Sequence, residues 1–315
     1  AKAENLQYLE TMLIGAPANP SAEHDQRLEQ AIATGNPTLI DGALTAYADF
    51  LAQDGKTQNR INDYTRDLES WAKQVEDADF TLRFQSYVSR NRAPGKVFAG
   101  LFAAFSAAQR SPYVVGVNIV GPENGIVAMN DYKLHMRMFG LLKKRFPETK
   151  LAMHAGELRL GLVPPEGLQD HIQLAVTVAG AERIGHGVDI AHESDAPLLL
   201  AEMKKRPVAV EINLTSNEFI LGVSGDDHPL PLYRRLGIPF VISTDDSGVS
   251  RNNLSGEYLL YASRYRPSYK ELKQTVYNSL RHAFLPAARK KEEIRKLDQR
   301  FREFEARISE LLQLR

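Results

Sequence analysis

Residues 150–157 read KLAMHAGE and residues 183–187 read RIGHG, two short apolar runs that each stop at ionisable side chains. A brief apolar run bounded by polar residues and glycine fits a strand buried on both faces, the condition of a strand in a parallel sheet. Working outward, comparable runs recur at 5–12, 81–90, 114–121, 208–217 and 239–246, which with 150–157 and 183–188 makes seven expected strands. Helical patterns lie between them. Over 131–146, Leu134, Met138, Leu141 and Leu142 fall at i, i+4, i+7 and i+8, an apolar stripe on one helix face. Strands alternating with helices predict an α/β class, specifically a (β/α)8 TIM barrel whose first strand is missing from this chain, since seven strands are one short of closure.

The 315 residues, 43% hydrophobic and 25% charged, have ordinary globular composition and suffice for one large barrel domain spanning 1–315. The first connection, about 14–80, reads as a helical insertion, including a helix at 59–75 around the single tryptophan, Trp71. Further helices are expected at 255–263, 269–284 and 290–312, within a C-terminal helical span of about 255–315. In the last of them Ile294, Leu297, Phe301, Phe304, Ile308 and Leu311 alternate spacings of three and four. That stripe clamps the helix to its own barrel or, alternatively, forms the seam of a homodimer.

Lys plus Arg equals Asp plus Glu, 39 each, so no strong field favours nucleic acid or a membrane surface, and a small, nearly neutral substrate is expected. The chain has no cysteine, which excludes disulfides, thiol nucleophiles and thiolate metal sites. No apolar run approaches the roughly 18 residues of a membrane span, and residues 1–10 lack the regions of a signal peptide. Cysteine depletion favours a periplasmic or secreted location over a cytoplasmic one.

In a barrel of parallel strands, chemistry sits at the C-terminal strand ends. Four expected strands end there in polar residues: His154 and Glu157; His186; Thr215, Ser216 and Asn217; Asp245 and Asp246. An apolar strand running into two adjacent carboxylates is costly unless a cation or a hydrogen-bond network compensates them. A capping role explains one aspartate more easily than both. Imidazole nitrogen and carboxylate oxygen around a divalent ion with an open position is a hydrolytic arrangement, and Zn2+ is the expected cofactor. Of the other histidines, His24 and His135 sit in helical contexts, and His171, His192, His228 and His282 read as helix, turn or loop residues. Arg90 either faces the pocket or pairs with a rim carboxylate, while Tyr8 and Glu10 on the first run are candidates for reaching a sugar.

HAGE at 154–157, RIGHG at 183–187, TSN at 215–217 and STDD at 243–246 together resemble, in order and spacing, the motifs of the adenosine deaminase family. The stretch STDDSGVSR, with Ser247 where proline usually follows the paired aspartates, is most similar to the secreted growth-factor-related branch. The resemblance implies zinc-dependent deamination of adenosine or 2′-deoxyadenosine. It implies His154 and Asp245 as metal ligands, Glu157 as the acid at purine N1, and His186 as the group that orients and deprotonates water. Asp246 would bind N7 and the backbone N–H of Gly121 would bind N3. Alternatives are an adenine or other aminopurine deaminase on the same barrel, or a noncatalytic nucleoside-binding protein.

Two positions depart from the family pattern. Asn118 stands where an acidic residue is common, and the HxH pair that supplies two further ligands from the family's first strand does not occur in this chain. The missing strand and missing ligands coincide, so the expectation is that an upstream segment completes the barrel and donates HxH.

Overall fold

The computed structural model describes residues 1–313; residues 314 and 315, the end of the expected helical span 255–315, lie outside the described residues. Seven strands are present among them: β1 (Tyr8–Thr11), β2 (Thr81–Ser89), β3 (Val114–Val120), β4 (Ala152–Ala155), β5 (Arg183–His186), β6 (Ala209–Ile212) and β7 (Phe240–Ile242). Each falls inside its expected run and is shorter than it. All pairings are parallel, in the orders β1-β2-β3 and β4-β5-β6-β7. A bridge between Val117 and Leu151, with the Val117 N–H donating to the Lys150 carbonyl at 2.9 Å, joins the two sets.

Strands that neighbour one another in chain order, with helices returning over one face, curl towards a barrel. The curl is visible in an interior ion cluster. Arg183, which opens β5, reaches Glu10 on β1 (2.5 Å) and Glu211 on β6 (2.7 Å), and its guanidinium lies 3.9 Å from the centroid of the Phe284 ring. Strands β1 and β5 can touch in this way only if the sheet bends round. The cluster takes up Glu10, and Tyr8 donates to Glu10 at 2.7 Å, so these two side chains serve the interior rather than a sugar. With seven strands, one short of the eight of the expected barrel type, the barrel is not closed: among the described residues β1 and β7 pair with no strand on their outer sides.

Three helices fill the first long connection: α1 (Ala22–Ala33), α2 (Pro37–Gln53) and α3 (Gly55–Val75), started by Ser21, Asn36 and Asp54, whose side chains accept from backbone N–H groups of the first turns. The helix α4 (Pro94–Arg110) lies between them and the sheet and buries Phe98, Phe102 and Phe105. Then follow α5 (Ile126–Asn130), α6 (Tyr132–Arg145), α7 (His171–Leu174), α8 (Ala196–Lys205), α9 (Leu214–Leu221), α10 (Leu230–Leu236), α11 (Ser247–Ser250), α12 (Leu254–Tyr265), α13 (Tyr269–Arg281) and α14 (Ala287–Gln313). The base of α14 is tied to the sheet, since Gln7 donates to the Glu293 carbonyl and carboxylate at 2.9 Å. Farther along, Phe304, Ile308 and Leu311 are exposed.

The expected strand 208–217 stops early. Asn213 sits at the N-cap position of α9 and its carbonyl accepts the Asn217 N–H at 2.9 Å, so Thr215, Ser216 and Asn217 ride on a helix rather than on a strand end. No helix among the described residues is long and apolar enough to cross a membrane.

Candidate active site

At the C-terminal ends of the strands, His154 (next to last in β4), His186 (end of β5) and Asp245 (after β7) offer ligand-type atoms that all lie within 4.8 Å of one another. Two of the three hold left-handed backbone, His186 at φ 69° and Asp245 at φ 54°. Such conformations cost non-glycine residues about 1–3 kcal/mol and persist where surrounding structure imposes them. Here the imposed turns aim both side chains into the mouth.

The hydrogen on the His154 imidazole is fixed by Asn118. Oδ1 of Asn118 accepts the backbone N–H groups of Ile119 (2.8 Å) and His154 (3.2 Å), which marks it as the oxygen. His154 Nδ1, 2.9 Å from that oxygen, therefore donates, and Nε2 keeps its lone pair for the site. The asparagine does here what a carboxylate would do. Burial, then the neighbouring His186 and Arg90, pushes the His154 imidazole well below the ordinary histidine range, so it is neutral, the form a metal ligand requires. Neutral imidazole nitrogen beside the Asp245 carboxylate fits a zinc ion.

Glu157 follows β4 through Gly156. Its carboxyl is half-buried, Oε1 has no hydrogen-bond partner, and Nδ1 of His186 is 3.6 Å away, too far to bond. Burial raises its pKa, and the carboxylates of Asp245 and Glu123 raise it further against the opposing pull of His186. Its environment thus favours the protonated carboxyl more than water does. Its backbone is gripped from below: Glu123 accepts the N–H of Gly156 (3.1 Å) and of Glu157 (2.9 Å), with His171 at 2.6 Å and Arg90 at 3.7 Å. Burial pushes the Glu123 carboxyl up, but Arg90, His171 and these donors overcome it and bring the group down to about 2. Arg90 also donates to the His154 carbonyl at 2.6 Å, which answers the question its sequence position left open. Gly156 has no substitute, for at φ 75° a Cβ would stand 2.4 Å from Asp189 Oδ1 and 2.7 Å from Ile172.

Asp246 occupies the N-cap position of α11, is exposed, and makes no side-chain cap bond. Burial of part of the carboxyl, then the charge of Asp245, raises its pKa. Gly121 closes β3 at φ 95° beside Ser89 and Asn91. Sequence reasoning missed Glu123, although VVGVNIVGPE runs from a strand into a carboxylate just as KLAMHAGE and VISTDD do. It also treated His171 and His228 as local residues, and the structure places both in buried networks.

A family profile described as adenosine deaminase matches residues 68–300. An adenosine deaminase of Enterococcus faecalis is 35% identical over 153 residues, 48% of this chain and 42% of that protein. One from Shewanella denitrificans is 25% identical over 291 residues, covering 77% and 85% of the two chains. The match to the first relative thus spans less than half of its length. In fold, the chain is similar to an adenine deaminase from Arthrobacter aurescens (TM-score 0.60, 16% identity, 95% of this chain and 75% of that one). It is similar in the same way to an amidohydrolase from Burkholderia ambifaria with bound Zn (TM-score 0.59, 18% identity, 96% and 70%). With the profile running from α3 through β2–β7 into α14, this chain belongs to the adenosine deaminase family.

Proposed function

We propose that the protein hydrolyses adenosine or 2′-deoxyadenosine to inosine or 2′-deoxyinosine and ammonia, with zinc as its cofactor. The observation that carries this reading is a half-buried carboxyl at the barrel mouth, Glu157, with an unpartnered oxygen and a raised pKa, beside the His154, His186 and Asp245 cluster. His154 and Asp245 would hold the metal, which when bound supplies Lewis acidity and lowers the pKa of a coordinated water towards neutrality.

Glu157 gives its proton to purine N1, which drains electron density from the ring and makes C6 electrophilic. His186 orients the attacking water. The water oxygen bonds to C6 and the C6–N bond breaks; one water hydrogen leaves with the amino nitrogen as ammonia and the other restores Glu157. Asp246, with its raised carboxyl, would hydrogen-bond N7, and the Gly121 N–H would meet N3. Ser247 after the paired aspartates supports the growth-factor-related branch and, with it, a secreted or periplasmic protein. The open outer edges of β1 and β7 support an upstream strand carrying HxH that would pair with both and complete the metal site.

The test is conversion of adenosine, 2′-deoxyadenosine and adenine, followed by absorbance, on the zinc-loaded protein carrying that strand. Nucleoside turnover is expected. Turnover of adenine alone would replace the reading with an aminopurine deaminase, and nucleoside binding without turnover would replace it with a noncatalytic binding protein.

A further inference from the structure

Behind His186 runs a buried chain of hydrogen bonds that begins at an obligatory donor. The backbone N–H of Leu230 donates to His228 Nδ1 at 3.0 Å. That nitrogen must therefore carry a lone pair. Burial, then the neighbouring His186 and Arg264, lowers the His228 imidazole to about 4, so it is neutral at neutral pH and its one hydrogen sits on Nε2. Nε2 lies 3.1 Å from Asn217 Oδ1 and donates to it. The Asn217 amide is then oriented with its nitrogen 3.0 Å from His186 Nδ1. A second amide nitrogen, that of Asn213, stands 3.4 Å from the same Nδ1, and its oxygen is taken by the Ser243 hydroxyl. Two donors facing one imidazole nitrogen leave it only the role of acceptor. All three members, His186, Asn217 and His228, are buried, so water offers no competing arrangement.

We infer that His228 and Asn217 are positioning residues that lock neutral His186 with its hydrogen on Nε2, the tautomer opposite to that of His154, so that His186 presents a donor to the site. The two imidazoles, whose ring centroids are 5.1 Å apart, are thereby assigned different work. His154 keeps a lone pair that a metal would take; His186 turns an N–H towards the space beside Asp245, whose Oδ2 is 3.9 Å from Nε2. In the deamination reading, on which this consequence rests, His186 orients the water oxygen by donating to it and does not withdraw its hydrogen. That corrects the base role implied by family resemblance.

The inference is tested without metal or substrate, on protein labelled with 15N-histidine, by the chemical shifts of the ring nitrogens, with His186 assigned from a His186→Gln sample. In the unsubstituted chain, His186 Nδ1 is expected in the unprotonated range and Nε2 in the protonated range, with His154 the reverse. Asn217→Asp, which offers Nδ1 an acceptor, is expected to exchange the two His186 signals. His228→Phe should leave a mixture, and His228→Gln, which can still donate to Asn217, should retain the original pattern. A hydrogen on Nδ1 in the unsubstituted chain overturns the inference whether or not any variant folds, and so does a pattern in folded Asn217→Asp identical to the parent. Adenosine turnover is read separately. Under the deamination reading Asn217→Asp lowers kcat about 10–100-fold with little change in KM, and absent turnover alongside the expected tautomers would sink that reading while leaving the relay intact.

Discussion

In the proposed deamination the chemistry turns on Glu157, because a free carboxyl would be ionised at neutral pH and useless as an acid. Burial and the nearby Asp245 and Glu123 carboxylates supply the upward shift. Glu157→Gln keeps the shape and removes the transferable proton, so kcat should fall by about 10²–10⁴ with KM nearly unchanged. The acid form is the active one, and the rate of the parent enzyme should decline as pH rises through the raised Glu157 pKa. A Gln variant with parental kcat would remove Glu157 from the mechanism. Glu123 works beneath it through backbone, accepting two N–H groups and facing Arg90. Glu123→Gln turns an amide hydrogen against one of those donors and leaves a buried guanidinium without its counter-charge. A loss of about 3 kcal/mol in a denaturant titration is expected, together with reduced kcat as the Glu157 backbone loosens; an unchanged midpoint would show the clamp to be idle.

At the scale of elements, the existence of the strands was legible and their ends were not. Apolar runs marked all seven, but Ile212 and Leu214 are apolar on either side of Asn213, so nothing local announces that β6 stops and α9 begins. Site residues at strand ends, His154, Glu157, His186 and Asp245, could be read because barrel geometry converts a strand end into a place. Glu123 follows a strand end too, but what it and His228 do there could not be read, since their partners lie 34 and 11 residues away and are brought near only by folding. Glu193 is another such residue. It accepts the Ile172 and Gln173 N–H groups at the start of α7, an arrangement that favours its charge, yet burial wins and raises it to about 7. Unfolded glutamate releases its proton near 4.3. Between the two values the native protein holds a proton that the unfolded chain has lost, so this group's contribution to stability is full at low pH and is lost as pH rises through about 7. Glu193→Gln should flatten that part of the pH–stability curve by about 1–3 kcal/mol. An identical slope in parent and variant would show that Glu193 is ionised in the native state.

At the scale of the whole molecule, seven parallel strands in chain order make an arc drawn together by Arg183, Glu10 and Glu211 at its base and left open between β1 and β7. Unpaired edges leave donors and acceptors facing outward and invite pairing. The same opening lies on the side of Asp245, which follows β7, and the proposed metal site there would be short of ligands, for His186 is turned into a donor by the relay behind it, and His154 and Asp245 remain. One added strand answers both shortages if it carries two imidazoles on alternate positions, since residues i and i+2 point to the same face of a strand. The chain of residues 1–315 should therefore lose zinc readily on dialysis. Extended upstream by an HxH-bearing strand, it should retain the metal, protect the outward amides of β1 and β7 from hydrogen exchange, and gain turnover. Replacing both histidines of that strand with alanine separates the two effects: edge protection should persist while zinc retention and activity fall. Equal zinc retention with and without the strand would mean that the cluster already present is the complete site, and that closure of the barrel serves stability alone.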